Sequence, residues 1–173
     1  DALGVFYRNN IRVVIHSKYS TISLTMAEKA GFDIQTLHAV FSEPQHPTME
    51  GTDVVLTGVK QDDLQKAKSM FLVFNNGLEL LETTNYGEVY TNIVDGKAFI
   101  YANGVQIASE DNFLFSYNIT SMNAQMKKAL NRERSNVGRT AYSETIKNIL
   151  KNCVSNKVMR PLVVDIGNVM AGT

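Results

Sequence analysis

Cysteine is nearly missing: Cys153 stands alone among 173 residues. One thiol can make neither an intrachain disulfide nor a cysteine-based zinc site, so a reducing, cytoplasmic setting is expected. Net charge is missing as well, because seventeen basic residues cancel seventeen acidic ones. Whole-chain charge therefore argues neither for nor against a polyanionic partner, and only local clustering can speak. No apolar run approaches the ~18 residues that span a bilayer, and no charged-then-apolar leader is visible, so no membrane partner is expected. The glycosylation-like triplet Asn118-Ile119-Thr120 is short enough to arise by chance and is set aside.

What is present is an ordinary globular composition, 44% apolar and 20% charged, at a length suited to one domain or a small pair. The chain opens on "DALGVFYRNN", without a methionine and already inside an element, so a processed chain or a fragment is expected. Leu3, Phe6 and Tyr7 fall at helical spacing, and Asn9-Asn10 make a stop. "IRVVIHSK" alternates as a strand with Ile11, Val13 and Ile15 on one face. "YSTISLT" continues as β, and "IQTLHAVF" places Ile34, Leu37, Val40 and Phe41 in a mixed buried pattern. After the proline-bearing loop "SEPQHPTMEG" comes the β-branched strand "DVVLTGV". "KQDDLQKAKSMFLVF" then reads as one helix with Leu64, Ala67, Met70 and Phe71 in a stripe. A mixed sheet with packed helices is expected for this half.

The second half changes character. Asp95-Gly96 and Asn103-Gly104 each lie between alternating apolar runs and signal consecutive hairpins. "FLFSYNI" adds a strand. Thr120 or Ser121 can cap a helix bearing Met122, Met126, Ala129 and Leu130 on one face. A second helix carries Tyr142, Ile146, Ile149, Leu150 and Cys153, and Pro161 is expected to end the short segment after it. The boundary is placed at residues 75 to 87, giving modules 1–75 and 76–173 in an α+β chain.

Two stretches can carry chemistry. In "GTDVVL", Gly51 lets the loop turn and Thr52 suits a strand edge; the same pair can also form part of a nucleotide pocket. Between Lys127 and Arg139 five cations (Lys127, Lys128, Arg132, Arg134, Arg139) face Glu133 alone. That run is either a solvated helix face, with an Arg–Glu pair contributing about 0.3–0.5 kcal/mol, or an anion-binding surface. His16, His38 and His46 lie on different elements without a spaced carboxylate, which is not a zinc pattern. No Gly-x-Ser-x-Gly elbow is present, and Cys153 on an apolar stripe reads as core.

"GTDVVL" resembles the Gly-Thr-x-Val-x-Leu strand of the ATPase superfamily that joins gyrase B, the large heat-shock chaperones, sensor histidine kinases and MutL proteins. It matches at Gly51, Thr52, Val54 and Leu56. The order of helix, strands, Gly-Thr strand and helix is similar too, and residues 113–150 resemble a run in uncharacterised bacterial and phage ATP-binding proteins of that superfamily. The resemblance implies a partial Bergerat-type ATPase sandwich followed by a hairpin-rich and helical transducer-like module. It implies that Thr52 helps to bind adenine through an aspartate and water, and that one of Arg132, Arg134 or Arg139 senses the γ-phosphate. The superfamily's asparagine-bearing helix, adenine-reading Asp-x-Gly-x-Gly loop and glycine-rich lid have no counterpart in these residues. ATP with magnesium is thus expected only in a complete protein, and the isolated chain is expected neither to bind a cofactor nor to hydrolyse ATP. The alternative is a non-enzymatic module docking nucleic acid or an acidic protein through residues 127–139. A third reading is a homo-oligomer formed through exposed hairpin edges.

Overall fold

A computed structural model describes residues 2–92, 96–111, 113–132 and 137–171. These residues form two sheets, five α-helices and one 3-10 turn, an α+β architecture. The chain divides into two compact units, Asp1–Leu64 and Gln65–Thr173.

The first unit opens with helix α1 (Ala2–Arg8) and continues through strands β1 (Arg12–Ser17), β2 (Thr21–Glu28), β3 (Gln35–Ser42) and β4 (Thr52–Thr57). The strands lie in the order β3-β2-β1-β4. All three pairings are antiparallel, so this sheet is not the mixed one expected. Short connections between consecutive strands are enough to build β1–β2–β3 as an antiparallel run. β4 then returns along the free edge of β1. Few side chains of this unit are enclosed: Val13 and Thr21 are buried, while Ile34, Val40 and Phe41, expected to be covered, are exposed.

Helix α2 (Gln61–Ser69) straddles the division between the units and buries no residue. The expected helix through Phe74 stops five residues early because Met70 to Phe74 have another partner. Leu72 N–H donates to the Gly104 carbonyl at 2.8 Å, Gln106 N–H donates to the Met70 carbonyl at 2.8 Å, and Phe71 bridges Val105. Leu72–Phe74 close as a 3-10 turn. This segment therefore joins the second unit.

The second unit holds β5 (Leu80–Thr83), β6 (Gly87–Tyr90), β7 (Lys97–Ala102), β8 (Val105–Asp111) and β9 (Ser116–Ile119) in the order β5-β6-β9-β7-β8. Asn103 and Gly104, at φ 47° and 81°, make the β7–β8 hairpin as their residue types require. The consecutive hairpin expected at Asp95-Gly96 does not form: β9 lies between β6 and β7, antiparallel to the first and parallel to the second. Asp95 lies outside the described residues. Asn92 assists this arrangement, donating to the Phe113 carbonyl at 2.6 Å and accepting from Ser116 Oγ at 3.1 Å. All four residues of β9 are buried, as suits a central strand.

Helices α3 (Ala124–Arg132), α4 (Arg139–Lys151) and α5 (Asn156–Ala171) supply the rest of the core. Met126, Tyr142, Ile146, Ile149, Cys153 and Val158 pack with Val89, Ile100, Tyr117 and Ile119. The cap of α3 is Asn123, whose Oδ1 accepts from Met126 N–H at 2.8 Å, not Thr120 or Ser121. Pro161 lies inside α5 and does not end it. As the sixth helical residue it forfeits the N–H bond to the Lys157 carbonyl, but Val158 and Leu162 on either side still pack on the core. Glu82 on β5 fixes where α5 begins, accepting from Val154 N–H at 2.8 Å and Ser155 N–H at 3.0 Å.

Candidate functional site

Gly51 carries φ +87°, and a Cβ built on it would meet nothing within 4 Å. The position thus requires glycine for its backbone angle, not for space. It turns the chain so that Thr52 opens β4 opposite Ser17. Antiparallel partners share a face, so register continues from Thr52 through Val54 and Leu56 on β4 to Ile15 and Val13 on β1. The same face extends through Ile22 and Leu24 to Phe41 and Ala39. It is almost wholly apolar, yet Phe41 is 68% exposed, Val54 58% and Leu56 39%. A contiguous apolar surface left open on a small unit marks a place where something binds or packs. Thr52 is exposed at its end, the one hydroxyl of β4 on that face.

The opposite face sets Val14, Val40 and Val55 among polar groups. His16 pairs with Asp53, and its Nδ1 lies 3.3 Å from Thr21 Oγ1. The His16 and His46 rings meet edge to face at 5.3 Å, while His38 Nε2 lies 2.8 Å from Thr36 Oγ1. Among the described residues no three histidine, cysteine or carboxylate groups come together as a metal site.

Arg132 and Arg139 belong to the second unit, and Gly51 and Thr52 to the first. Arg134 and Glu133 lie outside the described residues. Arg132 ends α3 on the same helical row as Lys128, and neither makes an ion pair among the described residues. Together with Gln125, Gly138 and Thr140 they line a cleft of about 270 Å³ between α3 and α4. Arg139 is placed differently. It begins α4, where the helix dipole disfavours a cation, and it is held by Glu110 at 3.8 Å and by the Phe113 ring, 4.5 Å from its guanidinium carbon. Glu110 also accepts from the Tyr142 hydroxyl, and burial followed by this bond pushes the Tyr142 phenol well above its ordinary range. Arg139 thus has partners on the second sheet while its side chain stays 60% exposed.

Two polar groupings escaped the sequence reading. Glu88 Oε2 accepts from Asn118 Nδ2 at 2.7 Å and from the Tyr90 hydroxyl at 2.9 Å, and Asn118 Oδ1 accepts from Gly104 N–H at 2.8 Å. The second is Arg139–Glu110–Tyr142 itself. Apart from Tyr90 and Glu88, the bonds named join residues 14 to 32 positions apart, and no local spacing reveals such pairs.

Residues 62–156 match the family described as the Mycoplasma pneumoniae MPN635 N-terminal domain, and the chain belongs to that family. An uncharacterized protein of Mycoplasma pneumoniae is 31% identical over 157 residues, which cover 90% of this chain and 62% of that protein. Another from the same organism is 40% identical over 107 residues, covering 62% of this chain and 30% of its own length. The chain thus spans less than two thirds of the length of these relatives. No solved structure matches it. No helix among the described residues is long and apolar enough to cross a membrane.

Proposed function

We propose that the first unit is the adenine side of a nucleotide-binding domain of the gyrase, chaperone, histidine-kinase and MutL kind, and that the second unit couples nucleotide state to a partner. The observation that carries the reading is the position of Thr52, a lone β4 hydroxyl beside Val54 and Leu56 on an open apolar face. A purine needs such a surface: a flat apolar wall for its ring, and at its edge a group that both donates and accepts. In this reading a complete protein supplies the elements that hold the phosphate groups and magnesium.

The test is ATP binding by the full gene product, measured calorimetrically. Thr52→Val removes one hydrogen-bonding group and is expected to weaken binding roughly two- to tenfold. Failure of the wild-type protein to bind any adenine nucleotide would overturn the proposal. A second reading rests on Lys128 and Arg132 of α3, which make no ion pair among the described residues and suit the backbone of a nucleic acid or an acidic protein. It predicts affinity that falls steeply with salt and is lost when Arg132 and Arg134 become alanine.

A further inference from the structure

The first unit contains a cavity at the far end of β1 from Thr52, bordering the apolar face at Val13 and Leu24, and it arises from the way β1 and β2 part. Their pairing ends at Val14↔Ser23, although β1 begins at Arg12 and β2 runs on to Glu28. Each strand keeps its other partner beyond that point, β1 through Arg12↔Thr57 and β2 through Glu28↔Gln35. The sheet therefore splits into two ribbons, and the end of α1 and the turn after it close the notch. The result is a cavity of about 550 Å³, a volume typical of small-molecule sites.

We propose that this notch binds a small organic anion, with a carboxylate or phosphate head held by Arg12 and an apolar body held against Ile11 and Leu24. Arg12 lines the cavity and makes no ion pair among the described residues. No carboxylate lines the cavity to neutralise it. Tyr7 and Ser23 line it too, and neither hydroxyl has a protein hydrogen-bond partner among the described residues. A planar guanidinium is always charged and matches a carboxylate or phosphate in two parallel bonds. Two free hydroxyls beside it add orientation, and the aliphatic wall favours a ligand with a hydrophobic part over a bare inorganic ion. The site is independent of Thr52: Arg12↔Thr57 and Ser17↔Thr52 are the two ends of one ladder, roughly 17 Å apart at the rise of a strand.

The test is a titration of the 173-residue chain followed by backbone amide shifts in NMR, with benzoate, phenyl phosphate and neutral benzyl alcohol as probes. Either anion is expected to give saturable shifts at residues 7–13 and 23–25. A response to benzoate alone assigns a carboxylic acid, and one to phenyl phosphate alone assigns a phosphate ester. Arg12→Gln should weaken binding about tenfold, while Arg8→Gln, outside the cavity, should leave it unchanged. If Arg12→Gln loses its fold, Tyr7→Phe and Ser23→Ala replace it, each expected to weaken binding roughly two- to tenfold. Equal shifts with benzyl alcohol, no saturable shift with either anion, or full affinity in these variants would overturn the proposal.

Discussion

Adding a single methyl group at Gly87 probes how closely α4, β6 and β9 are packed. A Cβ at this position would stand 2.3 Å from the Asn118 carbonyl oxygen and 2.8 Å from Ile149 Cδ1. The Ile149 methyl can rotate away, but the carbonyl is part of the backbone of β9, which pairs Ile119 with Gly87. Overpacking against backbone costs about 1–3 kcal/mol. Replacing glycine also removes freedom from the unfolded chain, worth about 0.4–1 kcal/mol in the opposite direction. The clash wins, and Gly87→Ala should destabilise the second unit by about 1–2 kcal/mol. Gly167→Ala is the matched control: it lies in α5 with nothing within 4 Å of its Cβ position, so it should stabilise by about 0.5–1 kcal/mol. Urea unfolding followed by circular dichroism measures both. Opposite signs are expected for the same chemical change; a neutral or stabilising Gly87→Ala would refute the close approach of the β9 backbone to Gly87.

Glu82→Gln should cost about 1–2 kcal/mol in the same assay, because it removes the charge that receives two N–H groups at the start of α5; an unchanged midpoint would contradict this. Burial, with Glu82 adding to it, raises the Cys153 thiol to about 12. The native chain should therefore resist iodoacetamide in mildly alkaline buffer and react once unfolded in urea, and rapid native alkylation would disprove the buried placement. Burial, with Glu88 adding to it, raises Tyr90 to about 12, and burial also raises Tyr117 and Tyr142 above the ordinary value of 10.0. Since folding favours their neutral form, this stabilisation is intact below pH 10 and is lost as pH rises towards their folded values. An alkaline absorbance titration should show these phenols ionising late, together with loss of the fold.

Much of the fold was legible where one short stretch decides the outcome. β1 and β4 show period two, Asn103-Gly104 supplies the positive φ that its turn needs, and the α4 stripe from Tyr142 to Cys153 points to the core. The misreadings concern choices made by distant residues. Nothing near Asp95 shows that β9 will enter between β6 and β7, because that outcome depends on pairings with residues 116–119. The end of α2 depends likewise on Gly104 and Gln106, which take Met70 and Leu72 into the second sheet. At the candidate site the strand and its glycine could be read from "GTDVVL". The openness of the face bearing Thr52, Val54 and Leu56 could not, since exposure depends on what the remaining chain leaves uncovered. The Arg12 notch was hidden for a similar reason: the sequence shows two strands but not the residue at which they separate.

Hydrogen exchange of the full gene product, with and without ATP, tests the central claim most directly. The nucleotide reading predicts that ATP slows exchange along β4, from Thr52 to Thr57, and that Thr52→Val reduces this protection. Unchanged exchange along β4, with or without protection between Lys127 and Arg139, would contradict it.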